Sequence, residues 1–464
     1  MNLPFCARCA AAATCTPDHG LFALATGNKR VPPEAFCRAR HAEAGLDMGD
    51  FYRNVLVSSV DNPSCLYPVY PELQEQVAVI ESEWKARHGQ KQDDTTPFTQ
   101  LPLSVTLLLT EKCNLACSYC YERFSGNVKP RSMSSQTIDK TLALYLTPEM
   151  LALHPRIQWD IIGGEVFAEF DLLRYAVDRI LAGYRELGVC TRRIDLSLCT
   201  NGTLFDEEKR AWCEEIKAQI GVFDMGLSLD GIKECHDLCR NNSFDRVMRS
   251  FDWWRETFPQ CAIKGTISPP TLRYLYENVR FFVEDLGLPR FYINPTFEGP
   301  WSDGDAALYG EELIKCAAFF LARPKYNVLE NSNLFAPVHI KMGPGPRRQN
   351  WCGCGTHMRA VGPDGRIYPC QRAATGNISP IGTLEKGEER PKLVPFYLYT
   401  LHNEDTDCAS CQVAAYCPSC AMQWLEDTGD LFVRSKKLCT MTRVRHMVSA
   451  WYYSQTEAPH DCME

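Results

Sequence analysis

Between residues 101 and 300, six short apolar runs alternate with longer amphipathic segments, and this alternation leaves very few folds open to the chain. The runs Leu103–Leu109, Ile157–Ile162, Ile194–Thr200, Phe223–Leu229, Ala262–Ile267 and Arg290–Asn294 read as strands. Ser135–Leu146, Asp171–Leu187, Phe205–Ile220, Ser243–Phe258 and Leu275–Leu286 read as helices between them. Strands joined through helices run parallel with right-handed crossovers, so the expectation is an α/β fold, a partial (β/α)6 TIM-like barrel. In such folds chemistry gathers where the strands' C-terminal ends meet the loops.

Composition narrows the class. The 464 residues are 45% hydrophobic and 23% charged, ordinary for a globular protein with room for a large catalytic domain. A net charge of −8 argues against a nucleic-acid partner. No apolar run is long enough to span a bilayer, and MNLPFCARCAAAATC lacks the basic and apolar parts of an export signal. A cytoplasmic protein with no membrane partner is expected. In that compartment 24 cysteines do not read as a disulfide framework, and their short spacings are those of metal or iron–sulfur ligation.

The first strand leads into a loop with Cys113, Cys117 and Cys120 in C-x3-C-x2-C spacing. A closed [4Fe–4S] site takes four thiolates, so three leave one iron open. A three-cysteine zinc site completed by a distant histidine is the alternative. Strand two ends in Gly163-Gly164-Glu165, where glycines admit close backbone approach and a carboxylate can accept from an ammonium. Strand three ends in Thr200-Asn201-Gly202-Thr203. Strand four ends in Ser228-Leu229-Asp230-Gly231, with His236, Asp237 and Arg240 beyond it. Lys264 and Asn294 face either the same end of the barrel or outward, depending on the phase of their strands.

These motifs, in this order and at these strand ends, resemble the radical S-adenosylmethionine (SAM) superfamily. The resemblance implies a [4Fe–4S] cluster on Cys113, Cys117 and Cys120 whose open iron takes the amino and carboxylate groups of SAM. An electron from the cluster would release methionine and a 5′-deoxyadenosyl radical that abstracts hydrogen from substrate. It further implies Tyr119 on the adenine side and Gly163, Gly164 and Glu165 at the methionine amino group. Thr200, Asn201, Ser228 and Asp230 would line the ribose and polar face, and Arg240 would pair with the SAM carboxylate unless it is a solvated helix residue. Val166 stands where the family has a proline.

From residue 351 the cysteines return as Cys352, Cys354 and Cys370, then Cys408, Cys411, Cys417 and Cys420, then Cys439. Pro363-Asp364-Gly365 reads as the turn of a β-hairpin with Ile367 and Tyr368 on its returning strand. This region resembles the SPASM extension of peptide-modifying radical SAM enzymes, so the whole resemblance spans residues 101–445. It implies two auxiliary [4Fe–4S] clusters, with Cys352, Cys370 and Cys420 on the barrel-proximal one and Cys408, Cys411, Cys417 and Cys439 on the distal one. Cys354 is either the fourth proximal ligand or a spare thiol. Pro418 and Ser419 make a two-residue spacer where the family commonly has three. A pair of structural zincs is the alternative for the region. At the N-terminus, Cys6, Cys9, Cys15 and Cys37 repeat the spacing of Cys408, Cys411, Cys417 and Cys439, pointing to a third auxiliary cluster or a structural zinc. Most of the other nine cysteines read as small buried hydrophobes.

The expected organisation is a cysteine-rich segment at 1–44 and a helical and linker region at 45–100 suited to substrate recognition. The barrel follows at 101–300, a connecting segment at 301–350, the small iron–sulfur-binding domain at 351–445 and a tail at 446–464. The expected activity is that of an oxidoreductase crosslinking or dehydrogenating a peptide or protein, for instance a ribosomal precursor, with auxiliary clusters accepting electrons. Its partners would be that substrate and a donor such as flavodoxin or ferredoxin. The alternatives are a SPASM-type enzyme acting on a small molecule, and a non-enzymatic iron–sulfur carrier or zinc scaffold. Glu298, Asp303 and His357 lie near the barrel mouth in sequence, but none is assigned as the catalytic acid or base.

Overall fold

The computed structural model describes residues 103–122, 129–336, 352–375, 378–389, 420–429 and 434–456, together with positions 40, 393, 396, 411, 413, 417 and 431. The expected strands form as β1 (Leu103–Thr110), β2 (Ile157–Gly163), β3 (Asp195–Thr200), β4 (Val222–Ser228), β5 (Ile263–Ile267) and β6 (Phe291–Pro295). They pair in parallel in sequence order, as expected.

The helices between them start where the sequence caps them. Ser134 accepts from the Thr137 N–H ahead of α1 (Ser135–Tyr145), which is followed by α2 (Pro148–Leu153). Next come α3 (Phe170–Glu186) and α4 (Glu207–Gln219), the latter capped by Asp206. Two helices, α5 (Lys233–Cys239) and α6 (Phe244–Thr257), link β4 to β5, and α7 (Leu275–Arg280) precedes β6.

Alternation along the strands separates two faces. Trp159 and Met225 lie on the helix side: Trp159 Nε1 donates to the Tyr184 hydroxyl, and Trp254 Nε1 donates to the Met225 carbonyl. Each large apolar side chain buried there contributes about 1.5–3 kcal/mol. The opposite face carries Asp160, Ser197, Cys199, Asp224, Lys264 and Tyr292, all half-buried. The inside of the partial barrel is therefore polar.

The sheet does not stop at six strands. β7 (Met358–Val361) lies parallel to β1, and β8 (Arg366–Tyr368), β9 (Gly382–Thr383) and β10 (Gly387–Glu388) follow antiparallel, giving ten strands. The predicted hairpin is thus joined to the barrel sheet, and it covers the β1 edge that would otherwise stand unpaired. Buried Arg359 pairs with buried Glu388 at 2.9 Å and locks the addition.

Residues 303–321 form a long helix, α8 (Asp303–Leu321), begun by a Ser302–Asp305 capping box. After α9 (Ala421–Thr428), the last helix, α10 (Cys439–Thr456), packs against α8. Arg445 binds the carbonyls of Asn333, Leu334 and Phe335, and the Phe335 and Tyr452 rings stack at 4.6 Å. No described helix is long and apolar enough to cross a membrane.

Candidate active site

The cysteine loop crosses the strand ends and is pinned there from two sides. On the β2 side, Gly164 N donates to the Thr110 carbonyl at 2.8 Å and Glu165 N donates to the Lys112 carbonyl at 2.9 Å. A Cβ on Gly163 would lie 2.2 Å from the Thr110 oxygen, and one on Gly164 would lie 2.5 Å from the Lys112 oxygen. Both glycines are therefore required by contact with the loop itself, a constraint separate from the ligand approach expected from sequence.

Glu165 is fully buried and accepts from Thr200 Oγ1 at 2.8 Å, Asn201 N at 2.7 Å and Phe167 N at 3.2 Å. Burial pushes its carboxyl above the usual range, and these donors oppose that shift. Asn201 Nδ2 reaches Asn114 Oδ1 at 2.9 Å, and Asn114 Nδ2 reaches Thr203 Oγ1 at 2.8 Å. Two strand ends and the loop thus form one hydrogen-bonded unit.

On the β4 side, the Tyr119 hydroxyl donates to Asp230 Oδ2, and Arg240 Nε stands 2.9 Å from the same oxygen. The Arg240 guanidinium lies 5.4 Å from the centre of the Tyr119 ring, and Asp230 Oδ1 accepts from Thr266 N at 2.9 Å. Asp230 is 0% exposed and Arg240 9% exposed, so Arg240 is not a solvated helix residue and its charge is already engaged. His236 backs the carboxylate: the Asp230 N–H donates to its Nδ1 at 3.3 Å, and its Nε2 meets Ser243 Oγ at 2.8 Å. Burial pulls His236 down to about 4. Ser228 is buried at the end of β4, opposite Lys264.

Cys113 is exposed, and Cys117 and Cys120 are half-buried. Burial pushes the Cys113 thiol up to about 11, opposed by the Leu115 N–H on its sulfur and reinforced by Glu165, Cys117 and Cys120. Thiols that raise one another's pKa are a donor set that a positive iron–sulfur core would relieve, since the ligand is the thiolate. The loop fits the group that the motif implies.

Four C-terminal thiols also meet. Cys354 donates to the Cys370 sulfur, which holds Cys370 below and Cys354 above the ordinary thiol value, and both Cys352 and Cys420 lie in electrostatic reach of Cys354. The structure groups Cys354 with the three expected proximal cysteines. Among the described residues, no three His, Cys, Asp or Glu side chains converge as around a single ion. Cys411, Cys417 and Cys439 are half-buried, whereas Cys408, Cys6, Cys9, Cys15 and Cys37 lie outside the described residues.

Sequence reasoning missed Tyr121, which is half-buried within electrostatic reach of Cys120, Cys199 and Cys370, between the loop and the C-terminal thiols. Its only signal was an aromatic directly after the last loop cysteine. Of the three unassigned candidates, Glu298 is ion-paired with Arg372 at 2.7 Å, Asp303 sits in the first turn of α8, and the His357 ring packs over Gly353. Cys235 and Cys239 are buried, as core packing requires.

Residues 107–271, from β1 through the strand ends that carry Glu165, Asp230 and Arg240, match the Radical SAM superfamily. The barrel therefore carries a radical SAM domain. Over 323 residues the chain is 27% identical to the antilisterial bacteriocin subtilosin biosynthesis protein AlbA of Bacillus subtilis, covering 68% of the chain and 64% of that protein. It is 31% identical over 142 residues to the sporulation killing factor maturation protein SkfB of the same organism, covering 30% and 29%. It is 28% identical over 191 residues to a cysteine-type anaerobic sulfatase-maturating enzyme of Clostridium perfringens, covering 39% and 49%. The matches thus span less than two thirds of each relative's length. The solved structure of native anSMEcpe with bound AdoMet shares the fold with a TM-score of 0.58 at 18% identity, covering 77% of this chain and 100% of that one.

Proposed function

We propose that this chain is a radical SAM oxidoreductase that crosslinks or dehydrogenates a peptide or protein. The observation that carries the reading is the three-cysteine loop locked between buried Glu165 on one side and the Tyr119–Asp230–Arg240 group on the other. A [4Fe–4S] cluster held by Cys113, Cys117 and Cys120 would supply the electron that cleaves SAM to its hydrogen-abstracting radical. Glu165, buried and fixed by three donors, is the negative group for the SAM ammonium, and Gly163 and Gly164 hold it against the loop. Thr200 and Asn201, oriented by that carboxylate, serve the ribose side together with Ser228. Asp230 fixes Arg240 and Tyr119, so that the Tyr119 ring is held for the adenine.

Oxidising the substrate leaves electrons to dispose of. Cys352, Cys354, Cys370 and Cys420 are the ligand set for the proximal auxiliary cluster that would accept them, and Cys408, Cys411, Cys417 and Cys439 the set for a distal one. Cys6, Cys9, Cys15 and Cys37 repeat the distal spacing and are offered as a third. A flavodoxin or ferredoxin would deliver the initiating electron. The peptide reading is supported by relatives named for maturing a sulfatase and a sporulation killing factor.

Anaerobic reconstitution with iron and sulfide, then reduction in the presence of SAM, tests the chemistry. Formation of 5′-deoxyadenosine is expected, and its complete absence from cluster-loaded protein overturns the reading. Mass loss of hydrogen from candidate precursor peptides tests the substrate class.

A further inference from the structure

One charged group inside the barrel makes no hydrogen bond or ion pair among the described residues. β4 carries a glycine in mid-strand, Gly226, although a central strand is a costly place for one. A Cβ there would lie 2.6 Å from Lys264 Cε and 2.9 Å from Lys264 Nζ. Lys264 therefore lies across β4 on the inner face of the sheet, in the space that Gly226 leaves open. The alternation of β5 settles the phase that the sequence left undecided.

The groups around it are already occupied. Asp160 accepts from Ser104 Oγ at 2.5 Å and Gln158 Nε2 at 2.8 Å, with Ser197 as a further donor, and Asp224 bonds the Cys261 thiol. Cys199, Asp224 and Asp160 hold the Lys264 ammonium above the ordinary lysine value despite its burial. Yet among the described residues Lys264 makes no hydrogen bond or ion pair. A half-buried ammonium with unspent donors costs free energy unless something accepts from it. It stands opposite Ser228 on one side and Tyr292 on the other, within the barrel just beneath the strand ends that carry the cysteine loop.

We propose that Lys264 is a substrate-binding residue that donates to an uncharged carbonyl oxygen of the substrate, a peptide amide, inside the barrel. Two carboxylates against one ammonium leave the local balance negative, which disfavours a substrate carboxylate and favours a neutral acceptor. Gly226 is the positioning residue, because its bare Cα leaves the room in which the lysine lies across β4. This inference rests on the peptide reading above and names which atom of the peptide is held.

The test is amine labelling of the anaerobic, cluster-loaded holoprotein by reductive methylation, read by mass spectrometry at Lys264 against exposed Lys325. The probes are N-acetylglycine N-methylamide, which offers neutral carbonyls, and N-acetylglycine, which offers a carboxylate. With the neutral probe at about twice its dissociation constant, labelling of Lys264 should slow roughly threefold relative to Lys325. N-acetylglycine should protect less. Gly226→Ala, which displaces the lysine, should abolish protection, while Lys264→Arg should restore part of the peptide-product yield that Lys264→Met loses per deoxyadenosine formed. Unchanged labelling with the neutral probe, or stronger protection by the carboxylate, overturns the proposal. Labelling needs no SAM cleavage, so absence of deoxyadenosine would sink the radical reading while leaving this result to stand or fall separately.

Discussion

The two groups of thiols in this chain are built on different plans. The loop of Cys113, Cys117 and Cys120 is held from four other strand ends or loops: the Glu165 backbone after β2, the Asn201 side chain after β3, the Asp230 carboxylate after β4 and the Arg240 guanidinium that follows α5. The C-terminal group of Cys352, Cys354, Cys370 and Cys420 is held by a hairpin grafted on the β1 edge and by the start of α9. The first site is made by the barrel, from the ends of β1 to β4 together. The second is largely local, tied to the segment after β6 by Arg372, which bridges Glu298 and Glu426 at 2.7 and 2.6 Å, and by Gln423 Nε2, which donates to the Phe297 carbonyl at 3.2 Å. A barrel-made site should fail as a unit, whereas a grafted one should fail in pieces.

The sharpest way to break that contrast is at the thiols. Cys117→Ala should abolish deoxyadenosine formation and lower bound iron by about four atoms per chain, because two thiols and an adaptable loop do not hold a cube. Retained SAM cleavage would contradict the assignment. Cys354→Ala tests the grafted group. Its thiol shares a hydrogen bond with Cys370 and meets Cys352 and Cys420, so the variant should lose as much iron as Cys370→Ala while still cleaving SAM. Iron equal to that of the unaltered protein would make Cys354 a spare thiol.

A smaller effect probes what holds the barrel-made site. Asp230→Asn leaves the buried Arg240 charge uncompensated, which should cost about 3–5 kcal/mol in denaturant unfolding. Adding Arg240→Met should return part of that loss, since the orphaned charge is then gone. If the single variant unfolds like the unaltered protein, the Tyr119–Asp230–Arg240 group does not hold the loop.

This group also shows where sequence reasoning stops. The six strands were legible because each is bounded by turns and alternates with a helix of clear period, and all six fall within one residue of expectation at their starts. The residues at their ends were legible as motifs. That Arg240 is engaged by Asp230 was not, because the pairing depends on how α5 turns back over β4. β7 to β10 span two to four residues each, too short to carry a period, so the ten-stranded sheet was hidden. α8 buries one face, but Gly310 and Glu312 stand on that face and Ile314 on the exposed one, which blurs the amphipathic stripe, although Ser302 and Asp305 spelled its cap. Lys264 needed the register with Gly226 before its direction could be known.

The smallest effect separates the two regions by pH. His236 is buried behind Asp230 and titrates at about 4 in the folded chain, mainly because burial disfavours the imidazolium. Unfolded histidine titrates near 6.5, so between about pH 6.5 and 4 the unfolded chain binds more protons, and stability falls as the pH is lowered through that window. Above it the contribution is fully present. Below it this group adds no further slope. Across the window the difference should amount to roughly 3 kcal/mol at most. His236→Asn keeps an acceptor for the Asp230 N–H and cannot charge, so its stability should vary less between those pH values than that of the unaltered protein. Because His236 supports Asp230, mild acid should loosen the cysteine loop before the C-terminal hairpin, and hydrogen exchange at Ser118 and Thr266 should rise ahead of exchange at Val361. Equal rises at all three amides would mean that the barrel-made site and the grafted one open together.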